Sequence, residues 1–198
     1  MISESDVIVY PASGKTAALC LTNAKAANFH GGDPIPGINA PQKDLVQHLR
    51  YQFVGQITTC AASQWLFQDD NRAYKAVRDE QNKHPYVGDG GVDLFPYNID
   101  VKGSFWRLGR SSPLDFNLFV RAETSHPGTR YIASLADFDV DFNNAKVWLI
   151  GWIGEEDVTT QRDTTGRYAG AYVTPYRELN PLPASDETLA YKLSQMGL

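Results

Sequence analysis

The sequence predicts a mixed α/β domain in which a central mixed β-sheet is flanked by helices. From Pro41 to about Phe67, apolar residues recur every three or four positions, which is helical periodicity with a proline near the start. Beyond residue 90, short runs of β-branched and aromatic residues alternate with Gly, Pro, Asn and Asp, as is typical of strands and turns. The chain has 198 residues and is 42% hydrophobic and 21% charged, which suits one globular domain.

The remaining elements follow from local patterns. The first 40 residues contain a β-like run at 7–10, a small-residue stretch and a breaker-rich loop at 30–37. A charged helix is expected at 69–83, ending before His84-Pro85. Strands of one sheet are predicted at 92–95, 99–102, 116–122, 146–152 and 168–174, and a last helix should follow an N-cap at Ser185.

The predicted organisation is an N-terminal extension of unassigned role at 1–40, followed by the main domain at 41–198. The extension is a candidate for packing on a sheet edge, for a substrate-binding lobe or for a homodimer contact.

Composition narrows the classes of function. No window approaches the roughly 20 apolar residues of a membrane span, and the N-terminus lacks the layout of a secretory signal, so we expect a cytoplasmic protein. Cys20 and Cys60 lack metal-ligand spacing and are too few for a disulfide framework. The net charge of -5 weighs against nucleic-acid binding, although a local basic face and metal-binding carboxylates are compatible with it.

The segment 88–104 carries the most informative chemistry. Pro96-Tyr97-Asn98 lies between two apolar runs, which predicts a β-hairpin that brings Asp93 near Asp100 and Lys102. Because side chains alternate along a strand, Asp100 and Lys102 should share one face while Val101 points to the other. Two carboxylates and one ammonium group are therefore expected to converge.

Such a group suits phosphodiester hydrolysis. A hard dication, Mg²⁺ or Mn²⁺ in its place, takes oxygen ligands such as Asp93 and Asp100, polarises the phosphoryl oxygen and lowers the pKa of water. Lys102 would place a cation beside the developing charge and would either orient the attacking water or help to deprotonate it. The backbone carbonyl of Val101 is a natural further ligand, because it lies between the two metal-facing side chains.

Asp93 followed by Asp100-Val101-Lys102, after the Gly-rich turn at 88–91, resembles the PD-(D/E)XK nuclease superfamily. The segments 115–120, 146–153 and 172–179 resemble later strands of phage and bacterial members, so the resemblance covers about 45–182. It implies a restriction-endonuclease-like fold and a Mg²⁺-dependent endo- or exodeoxyribonuclease. In that superfamily the two acidic residues and the lysine bind the metal and arrange water.

Two departures keep other functions open. The helix before the hairpin often supplies a Glu in that superfamily, whereas this chain offers Gln56, whose neutral amide binds Mg²⁺ more weakly. Glu80 is the second choice for a third carboxylate, and the interval from Asp93 to Asp100 is short. A catalytically inactive nuclease-fold module that binds DNA or protein is the alternative, and an interaction protein unrelated to nucleases is a third class.

Contacts to DNA are predicted beyond the lysine. Ser104, Arg107 and Arg110 follow Lys102 directly, so the two arginines are placed to meet phosphates while Trp106 packs or stacks. The competing interpretation is a solvated arginine pair with Trp106 in the core. Ser13-Gly14-Lys15-Thr16 lacks the leading glycine of a P-loop, and 137–141 lacks the Gly and Glu of a Ca²⁺ loop, so neither predicts a site.

Overall fold

The mixed α/β class is confirmed by a computed structural model, which describes residues 1–29, 45–69, 71–82, 93–106, 109–122, 125–158 and 170–198. Its helices are α1 (Lys15–Phe29), α2 (Leu45–Phe67), α3 (Asn71–Asn82), α4 (Glu155–Val158) and α5 (Leu189–Gln195). Its strands are β1 (Ile8–Ser13), β2 (Ile99–Phe105), β3 (Asn117–Arg121), β4 (Arg130–Phe138), β5 (Asn144–Gly154) and β6 (Ala171–Pro175).

The central sheet has four strands in the order β1-β5-β4-β2. Strand β5 pairs antiparallel with both β1 and β4, whereas β4 pairs parallel with β2, so the sheet is mixed. Strand β4 lies in the middle, and its residues 131–136 are all buried. Within the described part of the chain, β1 and β2 are the edge strands.

One face of this sheet packs against the helices and forms the first core. Phe53, Ile57 and Trp65 of α2 meet Ile132 of β4 and Val101 of β2 there, all of them buried. Helix α2 is 23 residues long because its apolar positions recur at helical spacing and it packs on the sheet along its length. The helices are therefore stabilised mainly by this shared face.

The other face carries a second core beneath a separate two-stranded sheet of β3 and β6. Leu118 and Val120 of β3 pack there with Tyr131 and Leu135 of β4. The strands predicted as one sheet therefore form two sheets, and the single-sheet expectation is wrong. Sequence periodicity identifies a strand with a buried face but not the strand with which it pairs.

The N-terminal residues belong to the same fold as the rest. Strand β1 pairs with β5 from Ile8↔Leu149 to Ser13↔Asn144, and α1 packs on α2. A boundary at residue 40 therefore does not separate the described residues before it from the central sheet. None of the helices in the described ranges is long and apolar enough to cross a membrane.

Candidate active site at the edge strand β2

The two faces of β2 differ in chemistry. Val101 is buried in the first core, and a Cβ added at Gly103 would lie 2.6 Å from the Thr58 hydroxyl oxygen of α2. Odd-numbered positions of β2 therefore face the helices. Asp100 and Lys102 alternate with them and face the second core, where Lys102 Nζ lies 5.9 Å from the centroid of the Tyr131 ring.

Asp100 and Lys102 are in direct contact. Lys102 Nζ lies 2.6 Å from Asp100 Oδ2, and the side chains are 30% and 5% exposed. The carboxylate is therefore nearly out of water and carries a cation beside it, which compensates the cost of burying its charge. The lysine keeps enough exposure to meet a ligand that approaches the edge of the sheet.

Asp93 reaches the same strand from a turn rather than from a strand. The backbone N–H groups of Asp93 and Leu94 donate to the carbonyl of Ile99 at 2.9 and 3.0 Å, and the Phe95-Pro96 peptide bond is cis. The strand predicted at 92–95 is therefore wrong over its described residues, and the hairpin with it. A tight turn precedes β2, and β2 finds its partner in β4 instead.

The carboxylate of Asp93 nevertheless lies beside the predicted site. Its Oδ2 accepts a hydrogen bond of 2.8 Å from the backbone N–H of Val101, the residue between Asp100 and Lys102. Asp93 is thus fixed at the outer edge of β2, one peptide unit from Asp100. The structure brings together three of the four residues assigned to catalysis, although by a different local geometry.

Gln56 does not join them. It is 6% exposed on α2, and its side-chain oxygen accepts a hydrogen bond from the Tyr74 hydroxyl of α3. Burial raises the pKa of Tyr74 well above its ordinary value, so this phenol stays protonated as a donor. Helix α2 lies on the face of the sheet opposite Asp100, which separates Gln56 from the acidic pair. The side chain of Glu80 lies outside the described residues.

Of the predicted DNA contacts, Ser104 lies on β2 and Arg110 follows the end of that strand. Ser104 is half-buried and follows the alternation of Asp100 and Lys102, so it shares their face. Arg107 lies outside the described residues. Arg110 is exposed, with its guanidinium carbon 5.7 Å from the centroid of the Phe116 ring. Trp106 is half-buried against the second core rather than enclosed in it.

Sequence reasoning missed two residues of β5, Lys146 and Trp148, that lie across β4 from β2, and Trp148 meets the residue after the end of β2. Trp148 stacks on Trp106, with ring centroids 4.8 Å apart, and Lys146 Nζ lies 4.8 Å from the centroid of the Trp148 ring. Both residues alternate with Val147 of the first core and so lie on the face of the sheet that carries the second core, and the spacing Lys-x-Trp in a strand is the signal that would have found them.

The donor chemistry at β2 suits a hard cation with water and phosphate as further ligands. An ionised carboxylate offers two oxygens and about four lone-pair sites, so one hydrogen bond or ion pair does not exhaust it. Mg²⁺ is commonly held by only one or two carboxylates. No group of three or more His, Cys, Asp and Glu side chains among the described residues is placed to hold a metal ion by itself.

Comparison with family models, curated proteins and solved structures finds no match to this chain. The resemblance to the PD-(D/E)XK superfamily therefore depends on Asp93, Asp100 and Lys102 and on the order of the elements. The restriction-endonuclease-like assignment stays a prediction.

Proposed function

We propose that this chain is a Mg²⁺-dependent deoxyribonuclease that hydrolyses phosphodiester bonds as an endo- or exonuclease. The observation that carries the proposal is the 2.6 Å contact between Lys102 Nζ and Asp100 Oδ2 on an edge strand, with the Asp93 carboxylate bound to the peptide between them. Two carboxylates are enough to hold Mg²⁺, and a partly exposed ammonium group beside them can stabilise the charge that develops on the phosphate. We assign the protein to the cytoplasm of a bacterial or phage-infected cell, with DNA as its partner.

Each residue has a distinct task in this proposal. Asp93 and Asp100 would hold Mg²⁺, with the backbone carbonyl of Val101 as a further ligand, and the ion would supply charge stabilisation and a more acidic water. Lys102 orients that water and faces the phosphate, since its side chain is 30% exposed while Asp100 is 5% exposed. Burial of Asp100 keeps it in one position, which limits the reorganisation needed when a substrate binds.

Cleavage assays with isosteric variants test the proposal. Plasmid and linear DNA are incubated with Mg²⁺ or Mn²⁺ and the wild type, Asp100→Asn or Lys102→Met. We expect each substitution to lower the cleavage rate by about 100-fold or more, the scale on which single groups act in general acid-base and electrostatic catalysis. Glu156→Gln is the control, because it removes a carboxylate from a different ion pair, 3.0 Å from Arg130. Equal rates for the wild type and both site variants would exclude this site.

A non-catalytic module that binds DNA or protein is the second candidate, and Gln56 favours it. The helix that would supply a third carboxylate has a neutral amide there, already bonded to Tyr74 on the far side of the sheet. The two candidates differ in their response to metal. A nuclease site gains stability in Mg²⁺, by about 1.4 kcal/mol at ten times Kd, and Asp100→Asn abolishes the gain. The module shows neither the gain nor cleavage.

A further inference from the structure

Three aromatic rings between two cations form a continuous row of contacts at the end of β2, which we name the cation–aromatic ladder. Its members in order are Lys146, Trp148, Trp106, Phe116 and Arg110. Lys146 Nζ lies 4.8 Å from the Trp148 centroid, and Trp148 stacks on Trp106 at 4.8 Å with 24° between the planes. Trp106 meets Phe116 at 5.8 Å, and the Arg110 guanidinium carbon lies 5.7 Å from that ring.

Trp106 is the member of the ladder that continues the face of β2 carrying the proposed active site. The backbone N–H of Trp106 donates to the Ala136 carbonyl at 2.9 Å, which extends the pairing of β2 with β4 by one residue. Trp106 therefore follows Lys102 and Ser104 on the face of β2 that carries the second core, about 13 Å from Lys102 at the usual rise of a strand. A polynucleotide strand with its phosphate at Lys102 passes over Ser104 and reaches the indole rings.

We propose that the cation–aromatic ladder binds single-stranded DNA by stacking a base on Trp148, and that this selects single strands or frayed ends as substrate of the Lys102 site. The assignment of a substrate rests on the proposed nuclease function, whereas binding to the ladder does not. Lys146 and Arg110 are exposed, while Trp148 and Trp106 are half-buried, so the rings are supported from below and reachable from solvent.

Lys146 covers the face of the Trp148 ring on which a base would stack. An exposed cation–π contact is weaker than the stacking of a nucleobase on an aromatic ring, so a base displaces the ammonium group from Trp148. The displaced Lys146 then pairs with the phosphate beside that base. A duplex keeps its base faces stacked on each other, which leaves it only the phosphate contacts.

The local charge is consistent with this occupant. Lys146 and Arg110 terminate the ladder, and Lys102 lies on the same face, so cations occur at both ends and along the path. Asp137 is an acidic group at this surface, the register partner of Lys146 on β4 and itself exposed, whereas the nearby Asp115 is paired with Arg177. Asp137 competes with phosphate for Lys146, so Asp137→Asn should strengthen binding to single strands.

Fluorescence anisotropy with a labelled oligodeoxynucleotide in EDTA measures binding without cleavage. We expect Trp148→Leu to weaken single-strand binding by at least about fivefold, because it keeps an apolar side chain but loses the ring. Trp148→Phe should stay within about threefold of the wild type, because a smaller ring still stacks. Trp152→Leu is the matched control, since Trp152 lies on the same strand but packs against the first core.

Salt dependence tests the role assigned to Lys146. For single strands, each phosphate contact adds about 0.7 to the slope of log affinity against log salt, so Lys146→Ala should lower that slope by about 0.7. The same duplex sequence should bind more weakly than the single strand and should not distinguish Trp148→Leu from Trp148→Phe. Thermal unfolding of each variant shows that it is folded before its affinity is interpreted.

The outcomes separate this inference from the proposed function. Ring-dependent binding of single strands without any cleavage in Mg²⁺ supports the ladder and overturns the nuclease. Cleavage lost in Asp100→Asn, together with equal binding by the wild type and Trp148→Leu, supports the nuclease and overturns the ladder. Absence of single-strand binding by the wild type, or an equal loss in Trp152→Leu, also overturns the ladder.

Discussion

Lys192 is a fully buried cation that joins α5 to the C-terminal end of α2, and we predict that Lys192→Met destabilises the fold. The side chain has 0% exposure. Its ammonium group donates to the backbone carbonyl of Trp65 and, at 2.8 Å, to that of Ser185, and it lies 5.4 Å from the centroid of the Trp65 ring. Substitution leaves the carbonyl of the buried Trp65 without this donor, whereas the carbonyl of the exposed Ser185 still accepts from Gln68 Nε2 at 3.0 Å.

The expected loss is about 3 kcal/mol. Each hydrogen bond from a charged group contributes about 1.5–3 kcal/mol, which gives about 3–6 kcal/mol for two. Methionine fills most of the lysine volume and removes the cost of burying a charge, which offsets part of that loss. In a chain of this length, 1 kcal/mol corresponds to about 2–4 °C, so Tm should fall by about 6–12 °C.

The pH dependence of stability gives a second measure of the contribution of Lys192. Burial lowers the pKa of Lys192, and the charges of Asp186 and Glu187 oppose that shift in part. The unfolded chain therefore binds this proton more tightly, so the wild type gains stability as pH rises from the lowered pKa toward the ordinary value of 10.5. Lys192→Met lacks this titration, and the stability difference between the two proteins should widen over the same interval.

Urea unfolding followed by two optical probes measures the effect. Lys75→Met is the control, because Lys75 is exposed on α3 and such surface changes stay within about 0.5 kcal/mol. A loss below about 1 kcal/mol for Lys192→Met, or one equal to that of the control, would show that the buried ammonium group does not stabilise the junction of α2 and α5.

Three further predictions follow from single contacts. Gly103→Ala should cost about 1–3 kcal/mol in urea unfolding, because its Cβ would lie 2.6 Å from Thr58 Oγ1, and unchanged stability would contradict this close approach. The hydrogen bond from Arg177 lowers the pKa of Asp115, so stability is lost as pH falls through that lowered pKa; Asp115→Asn should flatten the acid side of a Tm series, and an unchanged slope would refute it. Hydrogen bonding to the second buried thiol, together with burial, raises the pKa of Cys20, so a disulfide-exchange reagent at pH 8 should modify the native protein far more slowly than the denatured protein, and equal rates would refute it.

The helices that the sequence predicts well are those whose apolar residues recur every three or four positions or whose segment is mostly charged. Helix α2 ends at Phe67, as its apolar spacing predicts, and α3 covers most of the charged segment expected at 69–83. Helix α1 was missed because its buried positions are small, such as Cys20 and Ala24, and leave no apolar stripe that stands out from their neighbours. The last helix is capped by Thr188 rather than Ser185.

The elements that the sequence predicts poorly depend on contacts between residues that are distant in the sequence. Strand β4 lies between the two cores and is buried on both faces, so it shows no alternation, and Ser134 and its alanines weaken the apolar signal further. Strands β3 and β5 read alike locally, yet they belong to different sheets. Which strands pair depends on how the elements pack into the two cores, and the spacing of residues along the sequence carries no information about that packing.

The same distinction applies to the candidate site, where the features that depend on local geometry were predicted and those that depend on distant contacts were not. The shared face of Asp100 and Lys102 follows from the two-residue period of a strand, and their 2.6 Å contact agrees with it. The position of Gln56 required knowledge of which face of the sheet α2 covers. The position of Asp93 could be predicted only with knowledge of the turn at 93–98. In that turn two backbone N–H groups donate to the Ile99 carbonyl, and the expected strand does not form.

The turn also explains why Asp93 has a structural task that is independent of any metal. An edge strand presents backbone N–H groups that must be bonded or exposed to water. The carboxylate of Asp93 satisfies the N–H of Val101 at 2.8 Å and so closes the outer edge of β2 beside Asp100. An acidic residue at position 93 is therefore accounted for by either candidate function. A nuclease is distinguished from a binding module instead by the cleavage rate of Lys102→Met, because the partly exposed ammonium group of Lys102 lies beside Asp100 and is placed to face a phosphate.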